Sequence, residues 1–137
     1  MKKSLLVMMF VALGFLFAGA SQSYAQGRPM TGSYKEIDKN KEEDAQRWAE
    51  AEAAAEFAVT EQAKKQDTTI KLVSVEHAES QVVAGTKYRL CMKVEVEDKE
   101  SNTDVVQEVK VEVFRSLQKE YKLMSWTEED CGEGESQ

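Results

Sequence analysis

The sequence predicts an α+β domain in which one long helix lies across an antiparallel sheet of four to five strands. Three observations predict it. Residues from about Lys41 to Lys64 repeat small apolar side chains at helical spacing, with Ala51, Ala54, Ala55 and Ala58 on one stripe and Glu52 and Glu56 on the opposite side. From Ile70 onward the period changes to two, the signature of half-buried strands. The alternating runs follow one another through short polar or Gly-bearing connections, which builds a meander rather than a parallel sheet.

The chain begins with two lysines, a nearly continuous apolar run from Leu5 to Ala18, and the small-residue pattern Ser23-Tyr24-Ala25. That order reads as a secretory signal peptide over residues 1–25, cleaved after Ala25. The competing reading is a membrane anchor, for which the run falls short of the roughly 20 residues a spanning helix needs. Residues 26–32 carry two glycines and the single proline, Pro29, and form a flexible N-terminal arm. The domain itself takes up residues 33–127.

Ser33 to Ile37 alternates weakly and reads as a short strand. Asn40 followed by Glu43 resembles a helix start in which side chains satisfy free backbone N–H groups. Trp48, Phe57 and Val59 flank the alanine stripe, and alanines let a helix axis approach a sheet closely. Gln66-Asp67-Thr68 ends the helix. The strand runs are Ile70–Glu76, Tyr88–Val96, Val105–Phe114 and Lys119–Trp126. In the second of these, Tyr88, Leu90, Met92, Val94 and Val96 share one face, leaving Arg89, Cys91 and Lys93 on the other. Val105, Val109, Val111 and Val113 share a face of the third, Tyr121 and Leu123 a face of the fourth. Glu97 to Asp104 is a charged connection, and residues 128–137 form a loose acidic tail.

The signal segment holds two basic residues and no acid, so the 112 residues after it carry 16 basic and 25 acidic side chains, a net charge of −9. A chain of that length is one small domain with a modest core. Its acidity argues against nucleic acid and anionic membranes as partners. Two cysteines remain, Cys91 and Cys131. Export permits a disulfide between them, with two free thiols as the alternative.

Nothing in the sequence builds an active site. His77 is the only histidine, with Glu76 and Glu79 nearby, and reads as a surface or edge residue. No serine or cysteine is placed by sequence to use it as a base, a dyad with Cys91 being the remote exception. One His and two distant Cys make no metal spacing, so no metal is expected. No phosphate-binding glycine pattern appears, and no cofactor is expected.

The most informative stretch is Gln81-Val82-Val83-Ala84-Gly85, between the first two long strands. Gly supplies the backbone freedom of a tight connection. Its valines put apolar surface at a hairpin tip, where solvent is the usual neighbour, which marks a surface made to be covered. This stretch resembles the first binding loop of the cystatins, inhibitors of papain-like cysteine proteases. Ala55-Glu56-Phe57-Ala58-Val59-Thr60-Glu61-Gln62 resembles the helix signature of plant cystatins, and the order of elements agrees from about Met30 to Trp126.

The resemblance implies a cystatin-like fold and a wedge that blocks a protease cleft reversibly and without covalent chemistry, acting as an inhibitor rather than an enzyme. Transferred to this chain, the wedge comprises Gly32 of the arm, Gln81, Val82, Val83, Ala84 and Gly85 of the first loop, and Ser116 and Leu117 of the second. Gly27 is the alternative arm glycine, and a frayed terminus with no role is another. The resemblance implies papain-like cysteine proteases as partners and a monomer; the signal segment implies a secreted protein, extracellular or, in a bacterium, periplasmic. Exchange of strands through the first hairpin to form a dimer is the alternative assembly. Two departures stand out. The second loop has Arg115-Ser116-Leu117-Gln118 where secreted cystatins carry Pro-Trp, closer to the stefin branch, and there are two cysteines where secreted animal cystatins have four. A cystatin-fold binding module without protease inhibition is the alternative function.

Overall fold

The computed structural model describes residues 32–132. The signal segment 1–25, the arm residues 26–31 with Gly27, Met30 and Thr31, and the tail end 133–137 lie outside the described residues. Within them the order is β1 (Lys35–Glu36), a 3-10 turn (Glu42–Asp44), α1 (Ala45–Gln66), β2 (Ile70–Val83), β3 (Gly85–Asp98), β4 (Thr103–Arg115) and β5 (Tyr121–Glu128). All five strands join in one antiparallel sheet in sequence order, β1-β2-β3-β4-β5. One helix against a five-stranded antiparallel sheet is an α+β arrangement consistent with a cystatin-like fold.

The alanine stripe does what its spacing predicts. Ala51, Ala54, Ala55 and Ala58 are fully buried, so along that stripe the helix contributes nothing larger than a methyl group to its contact with the sheet. They pack into one core with Val75 and Ala78 of β2, Tyr88, Leu90, Met92 and Val94 of β3, and Val109, Val111 and Val113 of β4. Larger residues fill the margins: Trp48 and Phe57 are partly buried, and the Phe57 ring stacks on Tyr121 with centroids 5.3 Å apart.

β2 departs from simple alternation. Its core-facing residues step by three, through Leu72, Val75 and Ala78, because the pairing with β3 shifts between Leu72 and Ser74 and again between Val75 and His77. Each shift is a β-bulge, in which one extra residue restores the inward face and increases the local twist. The hairpin tip is also tighter than a five-residue loop. β2 runs through Val83 and β3 starts at Gly85, leaving Ala84 alone between the strands.

The helix start differs from the Asn40–Glu43 expectation: no side chain caps either the 3-10 turn or α1. Acids on either side do related work. Asp38 Oδ1 accepts the Asn40 N–H at 2.9 Å, and Asp44 Oδ2 accepts the Asp38 N–H at 3.0 Å. Arg47 then bridges Asp44 Oδ1 at 2.6 Å and Ser80 Oγ at 3.0 Å, tying the first turn of α1 to β2. The Asp44 carboxyl is held below its ordinary value, first by the Asp38 N–H and, against the cost of burial, by Arg47. The helix ends at Asp67, whose left-handed φ of 48° directs its N–H back to Ala63 and Lys64.

The described part of the acidic tail, residues 129–132, is fastened rather than loose. The Glu129 N–H donates to the Glu108 carbonyl at 3.2 Å, Lys110 pairs with Glu129 at 2.9 Å, and the Cys131 N–H donates to Glu108 Oε2 at 2.7 Å. A disulfide joins Cys131 to Cys91, with the Cα atoms 5.5 Å apart. The segment therefore crosses β4 on the sheet face away from the helix and is pinned to β3.

Candidate functional site

The site is assembled at one end of the sheet by strand register. Gln81 opposes Lys87, Lys87 opposes Phe114, and Phe114 opposes Lys122, so a single row spans β2 to β5. Beyond that row lie only the β2–β3 tip and the β4–β5 turn. Gly32 joins them, because its N–H donates to the Val82 carbonyl at 3.1 Å. Three segments distant in sequence thus form one edge.

Each expected contact residue has a definite place on that edge. Val82 opposes Thr86 and is 68% exposed, and Leu117 is 73% exposed. They are the most exposed large apolar side chains among the described residues. Ala84 is exposed at the turn, while Gln81, Val83, Gly32 and Ser116 are half-buried. Gly85 is buried, with φ of +114°. A Cβ there would sit 2.3 Å from the Arg115 carbonyl oxygen and 2.9 Å from the Phe114 ring. Gly85 lets β3 pass close to β4 at this end.

The second loop is a compact turn. The Ser116 N–H donates to the Glu120 carbonyl at 2.8 Å, and the Lys119 N–H donates to the Ser116 carbonyl at 3.0 Å. Ser116 Oγ accepts the Glu120 N–H at 3.1 Å, and Lys119 takes a left-handed φ of 65°. The Ser116 hydroxyl is therefore committed to the turn, and Leu117 is left pointing into solvent on a fixed backbone. Rigidity matters because an ordered tip loses little entropy when it is covered.

Sequence reasoning missed what braces this edge. Arg115 Nη1 lies 3.9 Å from Glu50 Oε2 of the helix, and the Tyr88 hydroxyl is 3.5 Å from the same oxygen. The Arg115 guanidinium also stands 5.8 Å from the Tyr121 ring centre. Burial pushes the Tyr88 hydroxyl up, with the Glu50 charge adding to it, and the neighbouring Tyr88 hydroxyl pushes Arg115 up. Arg115 Nε is buried without a hydrogen-bond partner among the described residues. A cation at the end of an alternating strand, beside a turn, was the only trace of this brace in the sequence.

A second concavity, about 740 Å³, lies on the outer sheet face beside the disulfide. Its charges answer one another: Arg89 pairs with Glu112 at 3.1 Å, Lys110 with Glu129, and His77 sits 3.7 Å from Glu36 and 3.8 Å from Glu79. Cys91 opposes His77 across β2 and β3, but its sulfur is in the disulfide, so it offers no thiol for a dyad. Among the described residues no group of three His, Cys, Asp or Glu is placed to hold a metal.

Comparison with known families corrects the target class. Residues 47–126 match the model of SQAPI, described as an aspartic acid proteinase inhibitor. Membership of the cystatins, the role of a cysteine or thiol protease inhibitor, and papain-like cysteine proteases as partners are overturned by this match. The binding module without inhibition fits no better.

The physical reason lies in what the resembling residues do. Ala55, Phe57, Ala58 and Val59 form core, and Gly85 allows close passage of two strands. Such residues specify a fold, and a fold does not by itself fix the target. Comparison with curated proteins gives no match. Because the matched segment covers more than half of the sequence, the chain belongs to the SQAPI family of aspartic acid proteinase inhibitors.

Proposed function

We propose that this chain is a reversible, non-covalent inhibitor of aspartic proteinases that acts by occupying the target cleft, not by catalysis. The edge formed by Gly32, Gln81–Gly85 and Ser116–Leu117 makes the contact. The observation that carries this reading is the pair Val82 and Leu117, two large apolar side chains held in solvent at the same end of the sheet, one at the end of β2 and the other on a hydrogen-bonded turn. Covering one such side chain is worth about 1.5–3 kcal/mol. Two together supply a useful share of a micromolar-or-better affinity, for which roughly 8 kcal/mol is needed. The protein is exported, and its disulfide suits an oxidising compartment.

The test is a paired titration of a pepsin-type enzyme and of papain with protein starting at Gln26. Stoichiometric, dilution-reversible loss of the aspartic activity is expected, with papain unaffected. Inhibition of papain instead, or no effect on a panel of aspartic proteinases by a folded sample, would refute the proposal.

A further inference from the structure

The contact end differs in charge from the rest of the molecule. The full chain is acidic, with a formal net charge of −7. Yet in the row from Gln81 to Lys122 and beyond it, the charged strand and turn residues are Lys87, Arg115, Lys119 and Lys122 against Glu120, with Glu50 of the helix 3.9 Å from Arg115. Lys119 and Lys122 are exposed and Lys87 is half-buried. None of these three lysines makes an ion pair with another described residue. Acids gather at the opposite end. The β3–β4 connection carries Glu97, Asp98, Glu100 and Asp104 with only Lys99 among them, and Lys99 leans on Asp67 at the end of the helix.

We infer that the lysines around the apolar tip dock against carboxylates on the rim of the target's cleft, so that the edge is steered to aspartic proteinases whose cleft entrance is acidic. This rests on the proposed function and specifies which members of the target class it takes. Three ammonium groups without an ion-pair partner lie at the end of the sheet that carries the two apolar side chains, and a rim of like sign would repel all three. Opposite charge on the partner would align the tip before contact, because the acidic far end is turned away at the same time. Steering of this kind raises association rates by about tenfold to a thousandfold and is weakened by salt, since screening acts over about 10 Å at 0.1 M. Dissociation depends on Val82 and Leu117 and changes little.

The experiment is stopped-flow association with an inhibited aspartic proteinase at pH about 5, where exposed Asp and Glu remain largely charged. Ionic strengths of about 20 and 300 mM bracket the screening length. The parent protein should associate at least about tenfold faster at the lower salt. K87E/K119E/K122E should lose at least about tenfold in association rate at low salt, with dissociation within about threefold of the parent. K87Q/K119Q/K122Q should fall between them. K64E/K65E/K71E, which reverses three lysines at the far end, should associate within about twofold of the parent. Circular dichroism establishes that each variant is folded.

A parent rate insensitive to salt, or a tip variant as fast as the parent, overturns the inference while leaving the inhibitory function standing. Failure of the parent to inhibit any aspartic proteinase overturns both.

Discussion

Gly85→Ala tests the geometry of the contact edge most directly. The substitution adds one methyl group at a position with φ of +114°, where an L side chain is strained by about 1–3 kcal/mol. The methyl carbon would also meet the Arg115 carbonyl oxygen at 2.3 Å and the Phe114 ring at 2.9 Å. The ring can turn aside. The carbonyl belongs to the ladder between Thr86 and Arg115 and can move only if β3 and β4 separate at their tips. Overpacking of this kind adds about another 1–3 kcal/mol. At a combined cost of about 3 kcal/mol, a domain near 100 residues should lose roughly 12–24 °C in melting temperature. Thermal unfolding followed by circular dichroism measures that shift, and titration of an aspartic proteinase measures the accompanying weakening of inhibition. A melting temperature within about 2 °C of the parent would show that the close passage at Gly85 is not a constraint, and the account of a preformed edge would fail with it.

Val82→Ser and Leu117→Ser remove apolar area from exposed positions, so each should weaken inhibition by about 10- to 100-fold while leaving the melting temperature nearly unchanged; a large loss of stability would place these side chains in the core instead. Replacing Cys91 and Cys131 with serine opens a cross-link between residues 40 apart, and loop-closure entropy sets its worth at up to about 4 kcal/mol, read from denaturant unfolding. The same variant should expose residues 129–132 to carboxypeptidase, and equal resistance in both proteins would contradict the fastening described for the tail. Asp44 carries a pH prediction. Its folded-state carboxyl titrates below the ordinary value of 3.8, so its stabilisation is present above that value and is lost as pH falls through the depressed one. Asp44→Asn should therefore be less stable at neutral pH yet lose less on going to strong acid, and parallel acid-unfolding curves would refute the assignment.

How far the sequence could be read depended on whether a residue's role was local. The alanine stripe of α1 and the inward face of β3 from Tyr88 to Val94 follow from periodicity alone, and both are buried as expected. The two bulges of β2 were hidden because a bulge is defined by the partner strand: Leu72, Val75 and Ala78 share a face only when paired against Val94, Met92 and Leu90. Asn40 and Glu43 matched a capping pattern, but the turn is stabilised by Asp38 and Asp44, whose partners include Arg47 and, through it, Ser80 on another element. Val82 stood out as an apolar residue at a hairpin tip, and it and Leu117, which the resemblance placed, are both exposed at one end of the sheet. The brace of that end, Arg115 with Glu50 and Tyr88, was not legible, because it joins positions 38 and more residues apart. The target class escaped for a different reason. The helix residues and Gly85 that resemble the cystatins specify architecture, and a shared architecture does not name the enzyme it meets.

The bulges of β2 bear on what its outer edge can offer a second chain. β1 pairs only with Ser80 and Glu79, and the Ile37 N–H reaches Ala78, so the outer edge of β2 from Ile70 to His77 has no strand beside it among the described residues. An uncovered edge of that length is a template on which a second chain can add, and repeated addition ends in fibrils. Both irregularities fall inside this stretch, at Val73 and Glu76, where they break the even spacing of backbone donors and acceptors that an incoming strand needs. Lys71, Glu76 and His77 add polar side chains along the same stretch. The residues that bend β2 around its core also make its free edge a poorer template for another copy.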